Sequence, residues 1–415
     1  MMKNGQSSVQ TGKFLLPKDG KQLALWPVVA CDQFTSQPEY WERVEQRVKD
    51  ALSTFRLILP ECWLADSERR VPLIQRSMRE YLQNGVLSRE VNGLILIKRE
   101  TAAGARLGVL LCVDLEQYDF APDSLSPIRP TEGTIPARIP PRLKVRQGAA
   151  LELSHILLLA DDPGRTLIEP LYEKRETLPL LYDIELMEGG GRLTGWAIEQ
   201  GDLLDAFFDA VSRLKVTSDG LEFAVGDGNH SLATAKAHWL SIRDRLDEKE
   251  RESHPARFCM AELVNLHDEA LVFEPIHRVI FHRTASEVRA LLSEAEPVME
   301  LERPDIVLLH QKGDFPLRFA RPLHKLPVGT LQKLLDRAEG LDLDYVHGEE
   351  AVRSLVRDRD AVGILLPPME KRSLFPSVRQ DGPLPRKAFS LGEAHEKRYY
   401  MEARRIIREQ DAEQK

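Results

Sequence analysis

Apolar residues recur at helical spacing from Tyr40 through Val44 to Val48, behind the segment Thr35-Ser36-Gln37-Pro38-Glu39. That spacing predicts a helix with one buried face, and Ser36 with Glu39 three residues on predicts a capping box with Pro38 in the first turn. A second helix is expected over Arg70–Leu82, with Ile74, Met78 and Tyr81 inward and Asn84-Gly85 ending it. The period then changes. Leu94–Ile97 and Leu107–Asp114 read as strands of one hairpin, and Tyr182–Met187 and Arg192–Ile198 as strands of another about Gly189-Gly190-Gly191. Ile156–Leu159, Leu221–Val225, Phe258–Asn265 and Val362–Leu366 are further strand-sized apolar runs, with a helix over Leu203–Leu214 and a basic tail helix at the end. Hairpins mixed with strand–helix units predict an α+β protein of mixed sheets and packed helices, not a doubly wound one. A chain of 415 residues exceeds one ordinary core, so two α+β lobes are expected, 1–215 and 216–415.

Composition narrows the function classes. Hydrophobic residues at 42% exclude large-scale disorder, and no apolar run is long enough to cross a bilayer as a helix. Lys plus Arg number 57 against 65 Asp plus Glu, a net charge of −8, which argues against nucleic-acid binding by a general basic surface. Cys31, Cys62, Cys112 and Cys259 lie far apart, so neither a zinc knuckle nor a disulfide framework is supported. With no apolar signal core behind Met1-Met2-Lys3, a reducing, cytoplasmic setting is expected. A homo-oligomer is compatible with the chain.

The candidate chemistry gathers on Phe223-Ala224-Val225-Gly226-Asp227-Gly228-Asn229-His230-Ser231. A strand ends at Val225, Gly226 and Gly228 permit conformations a side chain would penalise, and Asn229 or Ser231 can cap the helix that buries Leu232, Ala235 and Trp239. The N–H groups and dipole at such a helix start favour an anion such as phosphate. Asp227 would serve there as metal ligand or base, and His230 as hydrogen-bond donor. An ordinary Gly-rich turn with a solvated Asp and His is the plain alternative. Pro275-Ile276-His277-Arg278 is a second anion candidate, although neighbours on a strand face opposite sides. Thr131-Glu132-Gly133-Thr134 lies beside a proline-rich stretch carrying Arg138, Arg142, Lys144 and Arg146, and Glu132 there could bind magnesium or deprotonate a hydroxyl. A solvated loop is the competing reading. Arg386 and Lys387 are weaker anion candidates.

These motifs, in order, resemble a family catalogued as domain of unknown function 1015. The resemblance rests on Val29-Ala30-Cys31-Asp32-Gln33, Thr35–Trp41, Thr131–Thr134, Gly226–Lys236, Pro275–Arg278, Pro385-Arg386-Lys387 and Gly392-Glu393-Ala394. Where the family carries Asp-Gly-His-His-Arg, this chain has Asn229 for the first His and Ser231 for the Arg, and Thr131 replaces the His before Glu132. The missing Arg removes a bidentate phosphate clamp, leaving Arg278, Arg142 or Lys387 to supply charge. The helix start is also similar to that of the ParB/sulfiredoxin-like fold. The resemblance implies a lobe of that type, a nucleoside di- or triphosphate with magnesium, and phosphoryl transfer to a small hydroxyl compound, free L-serine first. In it Gly226, Gly228, Asn229, Ser231, His277, Arg278, Arg142 and Lys387 hold phosphate, Asp227, His230 and Glu132 are catalytic, and Asp227 and Glu132 hold the metal. A non-catalytic nucleotide- or nucleic-acid-binding regulator is the alternative.

Overall fold

A computed structural model describes residues 7–18, 23–214 and 220–408. The chain divides into two compact units, Met1–Leu271 with Glu393–Lys415, and Val272–Gly392. The expected boundary at 215/216 lies outside the described residues. The strands on either side of it share one sheet, which is why the units divide later in the chain. Both units mix sheet and helix, so the protein is α+β. No helix among the described residues is long and apolar enough to cross a membrane.

The first unit is built on a twelve-stranded sheet among the described residues. Its main path runs Ile128–Pro130, Phe223–Asp227, Leu157–Ala160, Phe258–Asn265, Gly104–Asp114, Arg89–Thr101, Gly12–Leu16, Ala403–Arg405 and Leu151–Glu152. Successive strand residues face opposite sides. Ile95 and Ile97 therefore join one core with Trp41, Val44 and Met78, while Leu94 and Leu96 join a second with Phe207, Leu232 and Trp239. Because both faces are covered, the strand reads as an unbroken apolar run rather than an alternating one. Both expected hairpins form, with strands Arg89–Thr101 and Gly104–Asp114, and Leu180–Glu185 and Arg192–Ile198.

Three local expectations are corrected. The helix Pro38–Val48 buries Tyr40, Val44 and Val48 as its spacing requires, but Gln37 occupies its N-cap with no side-chain bond, so the Ser36–Glu39 capping box is not made. The basic stretch is a helix, Ile139–Arg146, rather than a loop, because Pro140 sits in its first turn, where a missing N–H costs nothing. The end of the chain forms no basic helix over its described part. Instead Ala403–Arg405 pairs between Gly12–Leu16 and Leu151–Glu152, and Tyr399 bridges Val29.

The second unit carries a seven-stranded sheet among the described residues, ordered Pro297–Met299, Gly313–Phe319, Ile306–His310, Ala361–Leu365, Phe273–Phe281 and Asp342–His347, with Phe389–Leu391 on the start of Phe273–Phe281. Val352 and Val356 of the helix Glu349–Asp358 pack on Val279, Leu309 and Leu365.

Candidate functional site

Strand Phe223–Asp227 pairs parallel to Ile128–Pro130 and antiparallel to Leu157–Ala160. The second ladder slips at Gly226, setting Asp227 opposite Leu157. That register brings His155, two residues before Leu157, against the turn that follows. Gly228 has φ +75° and is the N-cap of the helix Asn229–Arg243. A Cβ there would lie 3.0 Å from Ile156 Cα and 3.4 Å from His155 Cδ2, so both backbone and space require glycine. No side chain caps this helix, contrary to the expectation for Asn229 or Ser231. The Asn229 Oδ1 atom is buried with no hydrogen-bond partner. An uncapped helix start of this kind carries a partial positive charge of about half a unit.

Charged side chains from several segments of the chain gather about the turn. Asp227 accepts a hydrogen bond from the Gly228 N–H at 2.8 Å and pairs with Lys397 Nζ at 3.0 Å. Burial works against its charge, but Lys397, His155 and the Gly228 N–H outweigh that and hold the carboxyl below its ordinary range. His155 Nε2 lies 3.6 Å from Asp32 Oδ2, and its Nδ1 is 2.7 Å from the Tyr400 hydroxyl. Burial again opposes the charge, yet Asp32, Cys31 and Asp227 raise the imidazole to about 10, so it is a cation at neutral pH. Glu61, raised by burial and by Asp32, is paired with Arg142. Asp32 and Asp227 keep 26% and 27% of their side-chain surface exposed, against 11% for His155 and 10% for Lys397. Two accessible carboxylates thus stand on two nearly enclosed cations beside a helix N-terminus.

The residues anticipated from sequence separate into two groups. Gly226, Asp227, Gly228, Asn229, His230, Ser231, Glu132 and Arg142 all belong to the first unit. His230 Nε2 accepts from the Ile135 N–H at 3.1 Å and Thr131 Oγ1 donates to the Val225 carbonyl at 2.6 Å, which ties the half-buried Glu132 loop to the turn. His230 is therefore an acceptor at that nitrogen. Arg142 reaches the cluster through Glu61. His277, Arg278 and Lys387 belong to the second unit. Arg278 is fully buried, its guanidinium bonded to the Ile276 and Arg386 carbonyls and to Gln332, and His277 Nδ1 accepts from the Leu366 N–H at 3.1 Å. Lys387 is exposed at φ +57°.

Sequence reasoning missed Asp32, Glu61, His155, Lys397 and Tyr400 as site residues. Cys31-Asp32 lay within a motif already quoted for the resemblance. His155 looks like the polar start of an apolar strand, and Lys397 and Tyr400 arrive from the far end of the chain. As for groups the site could hold, the uncapped amides and two cations fit a phosphate, whereas the orphaned Asn229 oxygen is an acceptor and asks for a donor. A magnesium cage fits less well. Both Asp227 oxygens are engaged, and no group of three or more His, Cys, Asp or Glu among the described residues could hold a metal ion.

The geometry defines an α+β protein with a helix start that no side chain caps. The chain belongs to the family described as "Protein of unknown function (DUF1015)", whose model matches residues 15–338. Lys397 and Tyr400 lie beyond that match. A search of curated proteins finds no match. Among solved structures the chain is similar to a free serine kinase in complex with AMP, at 10% identity and TM-score 0.40, covering 72% of this chain and 92% of that one. It is also similar to a conserved hypothetical protein from Pyrococcus furiosus, at 10% identity and TM-score 0.36, covering 70% and 90%. SbnI with a C-terminal truncation from Staphylococcus aureus matches at 11% identity and TM-score 0.39, covering 68% and 82%. Likeness this remote carries no function across.

Proposed function

We propose that the Gly226–Ser231 turn binds the phosphates of a nucleotide and that the chain is a phosphotransferase acting on a small hydroxyl compound, with free L-serine the first acceptor to test. The observation that supports this most directly is the uncapped helix start at Asn229, with Lys397 and His155 beside it. Phosphoryl transfer asks a protein mainly for positioning and neutralisation of charge, and these groups supply both. The amides of Asn229–Ser231 would hold phosphate oxygens. Lys397 would shift part of its charge from Asp227 to the transferred group. Asp32, accessible and held by His155, would accept the hydroxyl proton as the acceptor oxygen bonds to phosphorus and the donor oxygen leaves. Glu132, on the loop tied to His230, is the second carboxylate for that task. Magnesium would arrive with the nucleotide, held by phosphate oxygens and water as is usual for that ion, and no step is assigned to it.

Isothermal titration of the protein with ADP and with ATP, magnesium present, tests the phosphate site. Saturable binding is expected, weakened at least about tenfold in Lys397→Met, the loss typical of a charge-assisted contact. Gly228→Ala should weaken it too, while costing about 1–2 kcal/mol of stability for the left-handed backbone. Absence of binding to the unaltered protein would contradict the assignment.

A further inference from the structure

One cluster in the first unit has a chemistry that phosphate binding does not use. Cys31, Tyr400 and His155 form a continuous hydrogen-bonded chain, and Asp32 stands beside His155 as an ion-pair partner at 3.6 Å. The Cys31 N–H donates to the Tyr400 oxygen at 3.1 Å, and the Tyr400 hydroxyl donates to Cys31 Sγ at 3.2 Å. The remaining lone pair of that oxygen faces His155 Nδ1 at 2.7 Å, and His155 Nε2 faces Asp32. A phenol has one proton to give and two lone pairs to accept with. With its proton on sulfur and the Cys31 amide on one lone pair, it can only accept from Nδ1–H. His155 therefore donates from Nδ1, its Nε2 turned toward Asp32 at 3.6 Å, and the phenol stands between that imidazole and the sulfur. Burial raises Tyr400 far above its ordinary range, so the hydroxyl stays a donor.

This is the arrangement of a nucleophile, a relay and an orienting carboxylate. The other three cysteines lack it. Cys112 and Cys259 are buried and their thiols are pushed up by burial, Cys112 to about 11. Cys62 is half-buried, as Cys31 is, and burial also pushes its thiol up. A thiol gains reactivity when a cationic partner favours its thiolate and solvent can reach it. Among the described residues, Cys31 is the half-buried cysteine whose sulfur accepts a hydrogen bond from a phenol that itself faces an imidazole.

We propose that Cys31 is a modification site, a reactive thiol that Tyr400 and His155 hold ready for two-electron oxidation by a peroxide. The sulfur attacks one peroxide oxygen, the S–O bond forms as the O–O bond breaks, and sulfur loses the two electrons the peroxide gains. The thiol proton passes to the departing hydroxide, giving sulfenic acid and water. The modified sulfur then stands next to Asp32. The proposal does not depend on a nucleotide site.

The test treats reduced, full-length protein with hydrogen peroxide and a dimedone-type sulfenic-acid trap, and reads all four cysteines by peptide mass spectrometry. Cys31 is expected to label at least about tenfold faster than Cys62, and Tyr400→Phe, which removes the proton donated to sulfur, is expected to slow Cys31 about tenfold while leaving Cys62 unchanged. Equal labelling of Cys31 and Cys62 in the unaltered protein would overturn the assignment. So would an unslowed Cys31 in a Tyr400→Phe protein with a native near-ultraviolet spectrum. If that variant does not fold, the comparison of Cys31 with Cys62 within one molecule still decides. Labelling is read without nucleotide, so a selective Cys31 in a protein that binds no nucleotide would leave this inference standing and remove the phosphate site.

Discussion

His155 shows how one side chain can belong to two tasks. It is nearly enclosed, yet Asp32, Cys31 and Asp227 more than repay its lost hydration. The sign of the consequence is fixed by the direction of that shift. An ordinary histidine titrates near 6.5 and this one near 10, so the folded state holds the proton more tightly than the unfolded chain does. The stabilisation is complete below about pH 6.5 and fades as pH rises toward about 10. Thermal melts across that window should show a falling Tm, and His155→Gln should flatten the decline. An identical decline in the variant would show that His155 does not carry the extra proton. Gly228 was legible in the sequence because a strand, two glycines and an apolar helix face bracket it. His155 was not, because its neighbour across the sheet is set by a register slip at Gly226 that no local pattern announces.

At the scale of elements, the segment from Glu393 to Arg408 is the feature that holds the site together. Its backbone bonds the early chain, Ala30 N–H to the Arg398 carbonyl and Tyr400 N–H to the Val28 carbonyl, both at 2.9 Å. Its side chains enter a buried ionic network. Arg398 pairs with Glu262 and with Glu402, each at 2.6 Å, and Arg404 pairs with Glu152 at 2.7 Å, all of them almost inaccessible. Removing one partner of such a network strands a buried charge. Arg398→Met should therefore destabilise the first unit by about 3–5 kcal/mol, read as a lowered midpoint in urea with unchanged slope. A change below about 1 kcal/mol would mean that the carboxylates find other partners or water. Hairpins and helix faces were readable because their apolar period is local. The tail was not, since its basic residues look solvated until their distant partners, Asp227 for Lys397, Glu262 for Arg398 and Glu152 for Arg404, are known. The helix Ile139–Arg146 misled in the same way, its prolines suggesting a loop where they only begin a helix.

For the whole molecule, charge and its pairing bear on the choice between enzyme and nucleic-acid-binding regulator. The net charge is −8. The one dense basic stretch is largely committed, Arg142 to Glu61, Lys144 to Glu68 and Arg146 to Glu152. Duplex DNA should accordingly show no salt-sensitive shift with this protein even at low ionic strength, where phosphate contacts are strongest. A shift that weakens steeply with salt would favour the regulator instead. The central claim concerns catalysis at the helix start, and phosphorus NMR addresses it most directly. Purified protein would be given magnesium, ATP, ADP or CTP, and a pool of small hydroxyl metabolites that includes L-serine. A new phosphomonoester signal, absent with Asp227→Ala, is the predicted result. Nucleotide left intact, or consumed with no new ester, would contradict the assignment of a phosphotransferase.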